Sequence, residues 1–255
     1  MKNVFVETSN VKKFHGAISA LNQRGAAEAC LVVVDGLPGL GKTTTLRNWV
    51  AQTGSVYLRA QQGWTENWFL SDLLKAMDVH PPHSLQQKAE RVRGELALRQ
   101  SNALFTDHTF SVVIDEADYV SRREKIIETI RGLSDSTEIP FILVGMGKIN
   151  DNLVRFPQVT SRVSQRVKFE RSTKDDVRAL MAGRCDMPVA DDLVTFLHKA
   201  SGGYNREILE AIANIERFGK RNPPGPDGLT LADMAGQVLL NDRASSKPIL
   251  VPEVY

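Results

Sequence analysis

The feature that most restricts the fold is the glycine-rich run GLPGLGKT at residues 36–43. It follows the apolar stretch 31–35, which predicts a buried strand, and it leads into a helical pattern that begins at Thr43. Glycines let the backbone turn tightly so that successive N–H groups point at a phosphate, and the helix N-terminus adds its partial positive charge. The pattern GxxxxGK[ST] in this setting predicts a P-loop that binds a nucleotide.

The P-loop sequence assigns roles to individual residues. Lys42 adds a full positive charge, and the Thr43 hydroxyl is expected to contact the Mg²⁺ that accompanies a nucleoside triphosphate. The complete set of expected nucleotide contacts is Gly36, Pro38, Gly39, Leu40, Gly41, Lys42, Thr43 and Thr44.

An acidic pair supplies the second half of the predicted site. Residues 111–114 are compatible with a buried strand, and it ends on Asp115 and Glu116. Asp115 is predicted to orient the Mg²⁺ shell, and Glu116 is predicted to reach the water that attacks the γ-phosphate. Together with the P-loop, this Walker B pattern predicts an enzyme that hydrolyses its nucleotide.

The chain alternates between strand and helix patterns around these motifs. Residues 54–59 and 139–145 predict further strands, and residues 68–77 and 85–99 predict helices. Strands separated by helices imply right-handed crossovers and a parallel sheet with helices on both faces. The predicted fold class is therefore α/β, with a P-loop sheet sandwiched by helices and a small helical lid behind it.

Composition limits the other possibilities. A length of 255 residues suits one α/β domain with a small appendage, and the formal net charge of +2 gives no global basic field. Cys30 and Cys185 form no CxxC pair, and His80 and His83 are more simply explained as parts of a solvated loop than as metal ligands. The absence of an apolar run of signal or membrane length leads us to expect a cytoplasmic protein.

Two arginines occupy suggestive positions after the fourth strand. Arg162 precedes a predicted last strand at 167–169, where it could reach the γ-phosphate of a neighbouring subunit, although spacing alone favours a solvated surface arginine. Lid helices are predicted from Asp191 and over 205–220. The second begins with GGYNRE, which places Arg206 in its first turn, from where it could fold onto the phosphates.

The order of these motifs resembles that of AAA+ ATPases. Within that superfamily, the chain resembles the ATPases that select targets for DNA transposition, of the phage Mu B, TnsC and TniB type. The similarity extends over residues 4–218 and includes the opening segment FVETSNV at 5–11. The resemblance implies ATP as the nucleotide, Arg162 as the arginine finger, Arg206 as the lid's sensor arginine, and assembly into rings or helical filaments around double-stranded DNA, in a bacterial cell or a phage-infected host.

The chain departs from this family pattern in two ways. The polar sensor expected after the fourth strand should fall at residues 145–147, where Gly-Met-Gly offers no suitable side chain, and Asn150 is the candidate substitute. The Mu B protein carries a DNA-binding domain ahead of its ATPase, but Lys42 lies too near the start of this sequence for one. DNA contacts are therefore expected on the ATPase domain itself.

Two basic clusters are the candidate DNA contacts, although each residue taken singly is also compatible with an ordinary surface charge. Contacts of this kind with phosphates would give sequence-independent, salt-sensitive binding. One cluster lies on the helix before the Walker B strand and the other follows that strand: Lys88, Arg91 and Arg93, then Arg122, Arg123 and Lys125.

Sequence patterns divide the chain into a core at 1–170, a lid at 171–220 and a tail at 221–255. The tail is predicted to contain a linker, a short helix over 231–240 and an extended end, which could dock on a transposase or a neighbouring subunit, or pack on its own lid.

Three functions remain open at this stage. The leading one is an ATP-dependent, sequence-nonspecific DNA-binding protein that marks target DNA and recruits or activates a transposase, with hydrolysis driving disassembly. The first alternative is a helicase loader or secretion-associated ATPase that acts on a protein partner. The second is a nucleotide-gated assembly module with negligible turnover.

Overall fold

A five-stranded parallel sheet forms the centre of the larger part of the molecule. The computed structural model describes residues 1–21, 23–105 and 108–253. The strand order is β2-β3-β4-β1-β5, and each neighbouring pair is parallel. The strands are β1 (Leu31–Asp35), β2 (Val56–Arg59), β3 (Val112–Asp115), β4 (Phe141–Val144) and β5 (Val163–Lys168). The predicted α/β P-loop fold class is confirmed.

Helices connect these strands and continue beyond them. Among the described residues, none of the helices has the length and apolar character needed to cross a membrane. In chain order they are α1 (Ser9–Leu21), α2 (Lys42–Thr53), α3 (Glu66–Ala76), α4 (Leu85–Phe105), α5 (Glu124–Thr137), α6 (Ile149–Leu153), α7 (Pro157–Thr160), α8 (Lys174–Arg184), α9 (Asp191–Ser201) and α10 (Asn205–Gly219).

The chain divides into two compact units. The sheet unit comprises residues 13–37 and 42–169, and the helical unit comprises residues 1–12, 38–41 and 170–255. The tip of the P-loop, residues 38–41, thus clusters with the helical unit. The N-terminal residues 1–12 do so too, whereas the sequence-based boundaries placed them with the sheet.

The sheet unit is organised around strands that are buried on both faces. Every residue of β3 and β4 is buried, as expected for central strands covered by helices on each side. Helix α5 contributes an apolar face that includes Ile126, Ile130 and Leu133, each 2% exposed or less. This packing fixes the carboxyl ends of the strands, where the predicted site residues lie.

The helical unit has a core of its own, built from α8, α9 and α10. A capping box starts α8: the Thr173 side chain accepts from the Asp176 backbone, and Asp176 accepts from the Thr173 backbone. Asp176 also accepts hydrogen bonds of 2.6 Å from the backbone and the hydroxyl of Ser9. One carboxylate therefore joins the N-terminal segment to the start of α8.

The segment after α10 folds differently from the prediction. Residues 231–236 form turns rather than a helix, and an antiparallel hairpin follows, made of β6 (Val238–Asn241) and β7 (Pro248–Leu250). The predicted helix over 231–240 is wrong: Thr230 and Asp233 make the reciprocal hydrogen bonds of a helix start, but Gly236 adopts a φ of +74° and the chain enters β6 at Val238. A left-handed residue at that position ends any helix.

Candidate nucleotide-binding site

The P-loop adopts a conformation that requires its glycines. Gly39 and Gly41 have φ values of +89° and +90°, which L-residues with side chains rarely adopt. Lys42 begins α2 and is buried, and its ammonium donates to the carbonyl oxygens of Gly36 and Leu37. Burial lowers the pKa of Lys42, an effect that nearby carboxylates oppose. The buried Lys42 ammonium is thus held at the loop by two backbone carbonyl oxygens.

Two side chains, one from α2 and one from β2, meet at Asp115 on β3. Its Oδ2 accepts hydrogen bonds from the Thr43 hydroxyl at 2.8 Å and from the Tyr57 hydroxyl at 2.7 Å. Burial, followed by the bond to Asp115, raises the pKa of Tyr57 to about 12. The hydroxyl and carboxylate oxygens of Thr43 and Asp115 are hard donors of the kind that Mg²⁺ prefers, and two protein ligands suffice when phosphates supply others. The residues therefore fit the expected Mg²⁺ contacts.

Glu116 lies one residue further on, in a left-handed conformation with φ of +56°. Its Oε1 accepts a 2.6 Å hydrogen bond from the guanidinium of Arg59. Arg59 is the last residue of β2 and pairs in register with Asp115 on β3. The candidate catalytic carboxylate is thus engaged by a neighbouring strand that sequence analysis did not connect with it.

At Gly145, the first of the three positions expected for a polar sensor, there is no space for a side chain. A Cβ on Gly145 would overlap the side chain of Ile149 and lie 3.1 Å from Oδ2 of Asp118. That carboxylate accepts from the Met146 backbone, and burial raises the pKa of Asp118. The candidate substitute Asn150 directs its amide nitrogen to Oδ2 of Asp35, at 3.3 Å.

The two candidate arginines differ in their surroundings. Arg162 lies just before β5 and donates a 3.1 Å hydrogen bond to Asp135, with 30% of its side chain exposed. Arg206 is exposed, and its side chain has no partner among the residues that the structure describes. The Arg206 backbone N–H, at 3.3 Å, donates to the carbonyl of Gly39 at the P-loop tip.

The residues of the first basic cluster, all on α4, differ in burial. Lys88 shares a buried stripe with Val92 and Leu96, and its ammonium donates to Asn67 at 2.7 Å. Because the i, i+4, i+8 spacing turns these residues inward, Lys88 is not a surface cation, and we remove it from the candidate DNA contacts. Arg91 is exposed and pairs with Glu95 on the same helix.

The second cluster is also partly engaged within the chain. Arg122 donates to Asn152, and Arg123 donates to the carbonyls of Trp64 and Gln62. Lys125 is exposed at the start of α5.

Arg93 and Lys125, one from each cluster, line the same groove of about 450 Å³. The acidic residues of this groove are occupied: Glu66 accepts from Thr129, and Glu128 accepts from Arg131 and Gln158. The side-chain cations of Arg93 and Lys125 have no hydrogen-bond or ion-pair partner within the described part of the chain. The groove therefore offers two available cations.

Sequence reasoning missed Tyr57 and Arg59. Both lie on β2, which the chain separates from β3 by more than fifty residues but which the sheet places directly beside it. A polar residue at the carboxyl end of a predicted parallel strand was the available signal, because the carboxyl ends of such strands share one edge of the sheet.

Comparisons with known proteins agree with this geometry. A model of the AAA domain matches residues 26–153, just over half of the chain. The chain is 26% identical over 182 residues to the ATP-dependent target DNA activator B of Escherichia phage Mu, and 25% identical over 182 residues to that of Escherichia phage D108. Each match covers 69% of this chain and 54% of the relative, so the chain spans about half the length of the curated relatives it matches.

The Cdc6p structure from Pyrobaculum aerophilum superposes with a TM-score of 0.60 at 15% identity, covering 91% of this chain and 68% of that one. The resemblance to target-selecting ATPases is confirmed by the two activators, and Cdc6p supports the fold. With the AAA domain matched from the strand before the P-loop to beyond the Walker B carboxylates, the chain belongs to the AAA domain family of P-loop ATPases.

Proposed function

We propose that this protein binds double-stranded DNA without sequence preference when loaded with ATP, assembles on target DNA, and recruits or activates a transposase. Hydrolysis then drives disassembly. The observation that carries the proposal is the similarity to two target DNA activators over 182 residues. A role on target DNA requires the cytoplasm of a bacterial cell or a phage-infected host.

The proposed chemistry follows from the arrangement at the strand ends. Backbone N–H groups of the P-loop and Lys42 hold the phosphates, and Thr43 and Asp115 would hold Mg²⁺, which neutralises phosphate charge when bound. Glu116 takes the proton of the attacking water, and Arg162 of one subunit stabilises the charge that develops in the site of the next. Arg206 contacts the phosphates from the lid.

The assembly acts as an ATP-dependent clamp on the phosphate backbone. ATP favours the assembled state only through its tighter binding there, so loss of the γ-phosphate releases the subunits. Arg93 and Lys125 are the proposed groove contacts with DNA, and Arg91, Arg122 and Arg123 are proposed as secondary contacts that first have to leave their partners within the chain.

The test measures binding to random-sequence duplex DNA with ATP, ADP or no nucleotide, by fluorescence anisotropy and by negative-stain electron microscopy. We expect filaments or rings only with ATP. The double variant Arg93→Ala/Lys125→Ala should bind more weakly and reduce the slope of log K against log salt by about 2 per bound subunit, since each phosphate contact contributes about 0.9. The matched control Lys75→Ala/Lys168→Ala removes two exposed cations outside the groove.

An unchanged salt slope in the groove variant would exclude the groove as the DNA contact. Absence of assembly on DNA with every nucleotide would reject the DNA-binding function.

One observation favours the alternative with a protein partner. The last part of α4 exposes Leu98, Leu104 and Phe105, which are 58%, 74% and 89% accessible. Exposed large apolar side chains at one helix end are typical of protein contacts. Two results together would support that alternative. The rate of ATP hydrolysis would be unchanged by duplex DNA, and the variant Leu104→Ser/Phe105→Ser would no longer bind the protein partner.

A further inference from the structure

The C-terminal hairpin is firmly attached to the helical unit. Leu239 and Val251 are buried, and the Asn214 side chain donates to the Leu239 carbonyl at 2.9 Å. Within the hairpin turn, Asp242 accepts hydrogen bonds from the backbone of Ala244 and from the backbone and hydroxyl of Ser245. The residue after Asp242 is therefore presented from an ordered turn.

That residue, Arg243, contacts the tip of the P-loop. Its guanidinium lies 4.3 Å from the centroid of the Tyr204 ring, donates to the carbonyl of Pro38 at 3.1 Å and pairs with Oε1 of Glu207 at 3.4 Å. Arg171 also lies over the Tyr204 ring, at 5.0 Å, and donates to its hydroxyl. Stacking on an aromatic ring restricts the orientation of a guanidinium and favours directed donation.

Three successive carbonyls of the P-loop tip are held by donors from the helical unit. Arg243 holds the carbonyl of Pro38, the backbone N–H of Arg206 holds that of Gly39, and the Asn205 amide holds that of Leu40 at 3.3 Å. In a trans peptide the carbonyl and the following N–H point in opposite directions. Fixing the carbonyls of Pro38 and Gly39 therefore directs the N–H groups of Gly39 and Leu40 to the opposite side of the loop, the side that is expected to face phosphate.

Arg243 also pairs with a buried carboxylate, that of Glu207. Glu207 is 8% exposed, and its Oε2 has no hydrogen-bond partner among the described residues. This oxygen lies 3.8 Å from the position that a Cβ on Gly39 would take, and the nearest group to that position is the Arg243 guanidinium at 3.0 Å. Without Arg243, an unpaired carboxylate would stand beside the loop that binds phosphate.

We propose that Arg243 is a positioning residue of the nucleotide site, so that the C-terminal hairpin is a working part of P-loop chemistry. It orients the peptide between Pro38 and Gly39 and neutralises Glu207. The proposal rests on the nucleotide binding in the proposed function and does not depend on DNA or a transposase. Because the oriented N–H groups face phosphates that ATP and ADP share, Arg243 should support the binding of both.

The test is a titration of the full-length protein with fluorescent ATP and ADP analogues. Arg243→Ala should weaken both dissociation constants by roughly tenfold, the usual effect of losing a hydrogen bond from a charged donor. Arg243→Lys, which keeps the charge but not the planar stacking donor, should be intermediate. The matched control Lys247→Ala removes an exposed cation from the same hairpin and should bind like the wild type.

Two further variants separate positioning from simple stability. Arg243→Ala/Glu207→Gln should recover part of the lost affinity, because it removes the unpaired carboxylate. Asn205→Ala should weaken binding of both nucleotides without touching the hairpin, and it keeps the proposal testable if Arg243→Ala fails to fold. Thermal unfolding without nucleotide should change little in Arg243→Lys, whereas the stabilisation that ATP adds should shrink.

Wild-type affinity in Arg243→Ala, or tighter binding, would overturn the proposal; tighter binding would identify the hairpin as a competitor of nucleotide. Failure of the wild-type protein to bind either nucleotide would overturn the proposed function as well. Normal nucleotide binding that depends on Arg243, without any DNA binding, would retain this inference and reject only the DNA-binding function.

Discussion

The guanidinium of Arg59 donates a 2.6 Å hydrogen bond to Oε1 of Glu116, the carboxylate that we propose activates the attacking water. An oxygen occupied in this way is not free to take a proton from water. The contact joins the end of β2 to the residue that follows β3, and 67% of the Arg59 side chain is exposed to solvent. An exposed ion pair is weak enough to be exchanged for another anion, such as a DNA phosphate.

Arg59→Ala should therefore raise the rate of ATP hydrolysis in the absence of DNA. We expect an increase of up to about fivefold, the factor that corresponds to a typical exposed ion pair. Steady-state phosphate release measures it, and Arg59→Lys, which keeps the charge, should stay near the wild-type rate. A basal rate in Arg59→Ala at or below that of the wild type would show that the contact does not restrain Glu116.

Glu116→Gln should separate binding from turnover. The amide retains the size of the side chain but cannot accept the proton, so hydrolysis should fall by at least about 100-fold while ATP affinity stays within about twofold. Assemblies formed with ATP should then persist on DNA. Single-turnover hydrolysis together with an equilibrium titration measures both properties, and normal turnover would reject Glu116 as the base.

Much of the site could be predicted from sequence, because the P-loop and the Walker B pair are local patterns that each lie at a strand end. The contacts of Tyr57 and Arg59 could not, because they depend on which strands become neighbours in the sheet. The burial of Lys88 could not be predicted either, because it depends on which face of α4 carries the apolar stripe, and a count of charged residues does not show this.

The tail shows a different limit. Its helical pattern over 231–240 was overridden by a left-handed Gly236 and by the antiparallel β6–β7 pairing that starts at Val238. The contact of Arg243 with the P-loop joins residues about 200 positions apart, and the local sequence carries no sign of it.

The missing polar sensor can be examined through Gly145. A methyl group there would overlap Ile149, so Gly145→Ala should lower the free energy of unfolding by about 1–3 kcal/mol, the usual cost of overpacking. Gly94→Ala is the matched control: no heavy atom of the described residues lies within 4 Å of its Cβ position on α4, and a helical alanine should stabilise by about 0.5–1 kcal/mol. Denaturant unfolding measures both variants.

The double variant Gly145→Ala/Ile149→Ala tests the cause of that loss. The Cγ2 atom of Ile149 is the nearest atom to the Cβ position of Gly145, and Ile149→Ala removes it. Gly145→Ala should therefore cost less stability in the Ile149→Ala background than in the wild type. A single Gly145→Ala variant as stable as the wild type would show that the strand end adapts easily, and steric exclusion would then not explain the glycine.

The Arg162 side chain pairs with Asp135 of its own chain, so it has to leave this partner before it can act on a neighbouring subunit. Its bond to Asp135, which also pairs with Arg131, can be exchanged for a phosphate only when a neighbouring subunit brings one close. Arg162→Ala should bind ATP normally, but its rate of hydrolysis in the assembled state should fall by at least about 1,000-fold, the lower end of the range for arginine fingers. Arg131→Ala, which loses a bond to the same Asp135, should retain most of its activity.

Mixing two inactive variants gives the decisive measurement. In a mixture of Arg162→Ala and Glu116→Gln subunits, a site that contains Glu116 can receive Arg162 from its neighbour, so part of the hydrolysis should return. An arginine that acts within its own subunit predicts no recovery, because no subunit then contains both groups. Phosphate release measured across mixing ratios at a fixed total concentration, with each variant alone as the baseline, therefore distinguishes a finger acting between subunits from a residue that only stabilises the end of β5.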